Sequence, residues 1–163
     1  MSRKPAVASR TFALILLLVL SGPATAQDLD EAFSQDSIVI VATAGECYHF
    51  DVWLAVSGEQ QRRGLMYVRQ LPAFSGMLFV YREPGERSMW MKNTFLSLDI
   101  LFIRADGGVS SIARRTEPQS LRSIASVEPV TSVLELNAGV TETLGIDERS
   151  RVLLPGDLSI HES

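Results

Sequence analysis

The chain has 163 residues, 46% of them apolar and 21% charged, with a formal net charge of −4. This composition excludes a collagen, a coiled coil, a disulfide-dense mini-protein and a wholly disordered chain. The length suits one domain with a real core and is short for two.

The N-terminus reads as an address. Arg3, Lys4 and Arg10 precede nine unbroken apolar residues, 12–20, which Ser21, Gly22 and Pro23 then interrupt. Ala24, Thr25 and Ala26 supply the small residues of a cleavage site. A basic start, a short apolar run and an A-x-A site make residues 1–26 a secretory signal peptide. Nine residues at helical rise cover only about half of a bilayer core, so no stable membrane insertion is expected after cleavage. The expected location is periplasmic or secreted. Cleavage leaves 12 basic against 19 acidic residues, a net charge of −7. An acidic exported chain is a poor nucleic-acid binder, and no nucleic-acid partner is expected. Lys92 is the single lysine of the mature chain, and Cys47, the single cysteine, cannot form an intrachain disulfide.

Residues 27–37 are polar and acidic without a period, the pattern of a flexible leader. β-Branched and aromatic runs over 38–43 and 48–56 predict strands. Ser57-Gly58-Glu59-Gln60 is a capping box opening a short helix that stops near Gly64. Strands are predicted over 77–81, 88–92, 98–104 and 109–115, with a turn at Glu83-Pro84-Gly85-Glu86 and a hairpin at Asp106-Gly107. Residues 116–129 form a long aperiodic loop, the kind that often carries function. A strand over 132–136, a short helix capped by Asn137 and stopped by Gly145, and a last strand over 151–154 complete the chain before a tail from 156 to 163. The expected fold is α+β and mainly β: one domain over 38–155, a curled or barrel-like sheet of seven or eight short strands with two short helices.

Arg63-Gly64-Leu65-Met66, Gly76-Met77-Leu78-Phe79, Trp90-Met91-Lys92-Asn93-Thr94 and Leu98-Asp99-Ile100 stand in order, followed by Val133-Leu134-Glu135-Leu136, Ala138-Gly139 and Leu144-Gly145-Ile146. Together these blocks resemble the prokaryotic family known as domain of unknown function 192, over about residues 38–154. The resemblance implies a small, largely β, often exported domain. It implies no established reaction and no catalytic residues.

Alternation along a strand places Ser88, Trp90 and Lys92 on one face and Met89 and Met91 on the other. Asp99 shares its face with Leu101 and Ile103, and Glu135 shares one with Val133, so each carboxylate needs a partner. Lys92, Asn93, Asp99 and Glu135 are therefore candidates for one polar cluster beside Trp90, with Arg63 a possible fifth member. Such a cluster is either a ligand pocket walled by Trp90 or a buried ion pair that pins the Asn93-Thr94 turn. The function expected is binding of a small polar molecule or an envelope protein. An alternative is a hydrolase-like enzyme pairing Lys92 with Asp99 or Glu135, and another is a structural accessory of the envelope. Met66, Met77, Met89 and Met91, with Cys47 and His49, raise a soft-metal site, but methionines more often fill a core, and no metal or cofactor is expected. Mass spectrometry of protein recovered from its native host should show a mature chain beginning at Gln27. An intact Met1 in the membrane fraction would contradict the signal reading.

Overall fold

A computed structural model describes residues 26–154 and Gly156. Residues 1–25, 155 and 157–163 lie outside the described residues, and with them most of the signal segment, His161 and nearly all of the expected tail. Nine strands and three short helices are found among the described residues. In chain order they are α1 (Ala26–Ala32), β1 (Ser34–Val41), β2 (Cys47–Ala55), α2 (Gly58–Arg63), β3 (Ser75–Gly85), β4 (Ser88–Met89) and β5 (Leu98–Ile103). Then follow β6 (Val109–Ala113), β7 (Ile124–Ala125), β8 (Val130–Asn137), α3 (Val140–Thr143) and β9 (Arg151–Leu153).

Seven strands form one mixed sheet in the order β6-β5-β8-β3-β2-β1-β9, and β4 pairs with β7 in a small ribbon. The ends of the large sheet nearly meet. Gly108 bridges Arg151, the Val109 amide donates to the Ser150 carbonyl at 3.2 Å, and the Val152 amide donates to Gly107 at 2.8 Å. The expected barrel-like β fold is therefore present, with α1 and β7 as additional elements. β2 and β3 are parallel, which requires a crossover, and α2 lies in it. The Ser57 hydroxyl accepts from the Gln60 amide while the Gln60 side chain accepts from the Ser57 amide, so the capping box is complete.

Cross-strand register shows why both faces of the sheet are apolar. Leu78, Leu134 and Leu101 stand opposite one another on β3, β8 and β5. They belong to the barrel interior with Ile38, Ile40, Phe50, Val52, Ile103 and Val152. One residue along, Trp53, Met77, Glu135 and Ile100 form a row on the opposite, outer face. This outer face is covered by Leu29 and Phe33, by Leu65, Val68 and Leu71, and by Met89 and Met91. The molecule thus has an inner core and an outer apolar layer, and the layer is roofed largely by irregular chain.

Several local expectations change. The leader expected over 27–37 is instead helix α1 and the start of β1. Leu29 and Phe33, four residues apart, fall on one helical side and are both buried, and the Trp53 indole donates to Asp30 at 2.8 Å. Two apolar anchors outweigh the polar composition. The turn expected at 83–86 is absent, because β3 continues to Gly85 through a register shift between Val80 and Gly85. The strand expected over 88–92 is only Ser88–Met89, and the chain turns at Lys92 and Asn93. Asn137 does not cap α3; the N-cap is Gly139 at φ 85°, with no side-chain cap of its own.

Gly76 sets how closely β3 approaches β8. A Cβ placed there would lie 2.6 Å from the Glu135 carbonyl and 2.7 Å from a Leu136 methyl. The carbonyl, which belongs to the backbone of the paired strand, cannot withdraw without parting the strands. Gly76→Ala is expected to cost about 3 kcal/mol or more, measured by chemical denaturation, whereas a cost under about 1 kcal/mol would mean the pair can spread.

Candidate functional site

The two carboxylates expected in one cluster face opposite sides of the sheet. Asp99 pairs in register with Leu136, whereas Glu135 pairs with Ile100, so Asp99 is on the interior side and Glu135 on the outer side. Alternation placed each correctly along its own strand, and strand pairing separates them.

Asp99 is fully buried and accepts four hydrogen bonds. One oxygen takes the Arg115 amide at 2.9 Å; the other takes the Gly139 and Thr141 amides at 3.0 Å each and the Thr141 hydroxyl at 2.7 Å. Burial pushes its pKa up, but the donors from Arg115, Thr141 and Gly139 outweigh that and leave it below the ordinary value. The carboxylate is therefore the missing cap of α3, supplied from β5. It holds the helix across the barrel end, where Val140, Leu144 and Ile146 meet the interior core. With its lone pairs committed to these donors, Asp99 is a structural anchor.

Glu135 has no such compensation. It is 4% exposed, set in the outer row between Met77 and Ile100, and burial alone raises its pKa from 4.5 to about 8. It is therefore a neutral acid at pH 7. Tyr81 is near enough to feel it. Burial raises the phenol's pKa, the Arg87 guanidinium 3.9 Å from the ring centroid opposes that rise, and Glu135 adds to it.

The remaining candidates stand on the roof of the outer layer. Met89 and Met91 are buried in it, while Trp90 is 49% exposed and Lys92 is exposed above it, with its ammonium 5.0 Å from the indole centroid. The alternation expected of a strand survives although the strand does not. Asn93, at φ 57°, donates through its side-chain amide to the Tyr67 hydroxyl at 2.9 Å, and its carbonyl accepts the Tyr67 amide at 2.8 Å. Tyr67 is itself at φ 67° and is half exposed. Its ring meets Phe95 edge-on at 6.5 Å, and the Arg69 guanidinium lies 4.4 Å over Phe95. The 116–129 loop joins the same surface. Met91 donates to the Ser120 carbonyl at 3.1 Å and Gln119, at φ 60°, to Thr94 at 3.0 Å. Leu121 stands beside Trp90 with 71% of its surface exposed. Between them is a cleft of about 210 Å³ lined by Ser88, Met89, Trp90, Leu121 and Ser123.

Non-glycine residues at positive φ are uncommon, and a bulky one such as Tyr67 is a true outlier. Of the four among the described residues, Tyr67, Asn93 and Gln119 lie on this surface, while Arg115 has its amide on Asp99 at the barrel end. Backbone strain of this kind concentrates at functional sites, at roughly 1–3 kcal/mol per residue. The surface is also cationic. Arg69, Lys92 and Arg122 have no carboxylate within 4.0 Å among the described residues, since the ion pairs found there use Arg104, Arg114, Arg115 and Arg149.

Of the predicted site residues, Trp90, Lys92 and Asn93 therefore share one surface. Asp99 lies on the other side of the sheet, and Glu135 lies within the outer layer with no ion pair to Lys92. The single cluster of Lys92, Asp99 and Glu135 does not form, nor does the buried ion pair offered as its alternative. Arg63 ends α2 with its guanidinium 5.4 Å over the Phe33 ring. The sequence left Tyr67, Arg69, Phe95 and Leu121 unmarked. Phe95 directly follows the Trp-Met-Lys-Asn-Thr block and was within reach, but nothing local announces a tyrosine at positive φ.

Three comparisons bear on this geometry. The profile of the DUF192 family (Uncharacterized ACR, COG1430) matches residues 39–154. A crystal structure from Sinorhizobium meliloti 1021, described as "a putative transcription regulator", is similar at 41% identity and a TM-score of 0.72, over 74% of this chain and 93% of that one. A crystal structure of a protein of unknown function from Novosphingobium aromaticivorans DSM 12444 is similar at 31% identity and a TM-score of 0.70, over 72% of this chain and 84% of that one. Comparison with the curated proteins finds no match.

The pKa of Glu135 ties stability to pH. A carboxyl whose folded pKa is raised leaves folding unopposed below its unfolded value of 4.5 and opposes folding increasingly as pH rises toward about 8. The shift corresponds to about 5 kcal/mol at most between those limits. Glu135→Gln is expected to flatten stability over that window and to raise it at pH 8, read by denaturant midpoints from pH 5 to 8. An unchanged pH profile in the variant would place the titration elsewhere.

Proposed function

The chain belongs to the DUF192 family, and from that premise we propose that it is an exported binding module that grips a larger partner through the loop face carrying Trp90. The observation that carries this reading is an exposed indole on a segment fixed from both sides. Met91 and Thr94 are buried next to it, and backbone hydrogen bonds tie the segment to residues 67, 119 and 120. Exposed aromatic side chains on a rigid frame are the usual anchors of interfaces, and tryptophan, tyrosine and arginine dominate their energetics. Folding alone does not call for a half-exposed tryptophan.

Size favours a partner over a small free ligand. Pockets that enclose small molecules measure roughly 300–1,000 Å³ and bury most of the ligand. The cleft beside Trp90, about 210 Å³ and open, suits one side group of something larger. Export is part of the proposal and rests on the basic, apolar and small-residue pattern of residues 1–26. No helix among the described residues is long and apolar enough to cross a membrane.

The description of the Sinorhizobium meliloti relative raises a nucleic-acid reading. For this chain it is the weaker one. The net charge is −4, and the longest described helix has seven residues, short for a recognition helix in a major groove.

A photoreactive residue in place of the exposed Leu121, used in the native host, should cross-link a discrete partner. Trp90→Ala in the same protein should remove that product while leaving the melting temperature within a few degrees, since the indole is largely outside the core. Truncating an interface anchor costs about 2 kcal/mol or more, roughly a thirtyfold loss of affinity. Cross-links of equal yield with and without Trp90 would overturn the reading.

A further inference from the structure

We propose that the partner engaged by the loop face is an acidic polypeptide segment, which seats one apolar side chain in the Trp90 cleft and sets its carboxylates against Lys92 and Arg69. This rests on the face being a partner surface and adds the chemistry of the partner.

Lys92 lies over Trp90 at 5.0 Å and Arg69 over Phe95 at 4.4 Å. An aromatic ring orients a cation and shields one side of it without neutralising its charge. Neither has a carboxylate within 4.0 Å among the described residues, although the chain as a whole is acidic. Arg104, Arg114, Arg115 and Arg149 each have one, whereas Arg62, Arg82, Arg87 and Arg151 also lack one among the described residues. Two pre-positioned, uncompensated cations therefore mark a local positive face on a negative molecule, which steers and selects an anionic partner.

The cleft beside Trp90, walled on one side by Leu121 and Ser123 of the 116–129 loop, is the second feature. Met89, Trp90 and Leu121 line it with apolar surface, and the Ser88 and Ser123 hydroxyls, 2.7 Å apart, share one hydrogen bond. One hydroxyl proton is used in this pair and the other remains free at the cleft's edge, so the cleft offers an apolar wall with one polar group beside it. A ligand with an apolar group flanked by negative charge is an acidic peptide bearing a leucine, methionine or phenylalanine. An anionic glycan brings the charge without the apolar side chain.

The test uses the full mature protein and short synthetic peptides with one central leucine flanked by glutamates, by glutamines or by lysines, together with an oligogalacturonate. Trp90 fluorescence reports binding, and calorimetry confirms it. The glutamate peptide is expected to bind about tenfold tighter than the glutamine peptide at ~20 mM salt, with most of that advantage gone by ~500 mM. Lys92→Met combined with Arg69→Gln should erase the advantage, and Trp90→Ala, followed by calorimetry, should weaken both peptides. Arg149→Gln, a charge change outside the face, should alter neither. Equal affinity for the glutamate and glutamine peptides, a preference for the oligogalacturonate, or self-association in place of peptide binding would each overturn the proposal. If peptides fail while the Leu121 cross-link still depends on Trp90, the acidic partner is wrong and the partner surface stands. If both fail, the two readings fall together.

Discussion

Strands β3, β8 and β5 carry apolar side chains on both faces through their paired region, and most of the architecture follows from that. The interior face is satisfied by closing the sheet on itself, Leu78, Leu134 and Leu101 meeting Ile40, Phe50 and Val152 across the barrel. Among the described residues, the outer row of Trp53, Met77 and Ile100 has no long helix to cover it, and the only second sheet there is the two-stranded β4–β7 ribbon, which contributes Met89 and Ile124. Irregular chain does most of the covering. Irregular backbone over an apolar layer must still place its amides and carbonyls, and here the covering segments place them on one another: Tyr67 on Asn93, Gln119 on Thr94, Met91 on Ser120. Segments joined in this way are fixed although they are not regular. The loop face owes its rigidity to the layer beneath it.

The two conspicuous buried carboxylates show how much one residue of register decides. Asp99 meets the open start of a short helix and becomes its cap, so its charge is satisfied by four donors. Glu135, on the neighbouring strand and the other face, meets Met77 and Ile100 and stays protonated. A charged Glu135 would lie directly beneath the roof that carries Trp90. Its raised pKa is therefore compatible with an apolar layer at neutral pH.

Period-two alternation, the capping box and the hairpin turn made most of the sheet readable in advance, because each is a local rule with a local cause. It was enough to place Trp90 and Lys92 together and to turn Met89 and Met91 inward, even where only two residues of the expected strand form. What alternation along one strand cannot contain is which strand pairs with which, and at what register. That is why Asp99 and Glu135 were assigned to one cluster. The same holds for α3, whose cap comes from a strand 40 residues earlier in sequence, and for α1, where two anchors among polar neighbours decide the outcome. Tyr67 at positive φ is dictated by its hydrogen bond to Asn93, a contact between distant segments that no window of sequence encloses.

The pairing of β9 with β1 concerns the order in which the molecule is made. Val39, Ile40 and Val41 stand opposite Leu153, Val152 and Arg151, so the first strand of the sheet waits for the last. The central strand β8, also late in the chain, is inserted between β3 and β5. A nascent chain that has not yet reached β8 would hold two unjoined groups of strands with exposed apolar faces. Contacts so distant in sequence form slowly, because loop closure must be met before they stabilise anything. The barrel is therefore completed only once β8 and β9 have been made, and until then the unpaired edges of β3 and β5 are the parts a chaperone would have to cover.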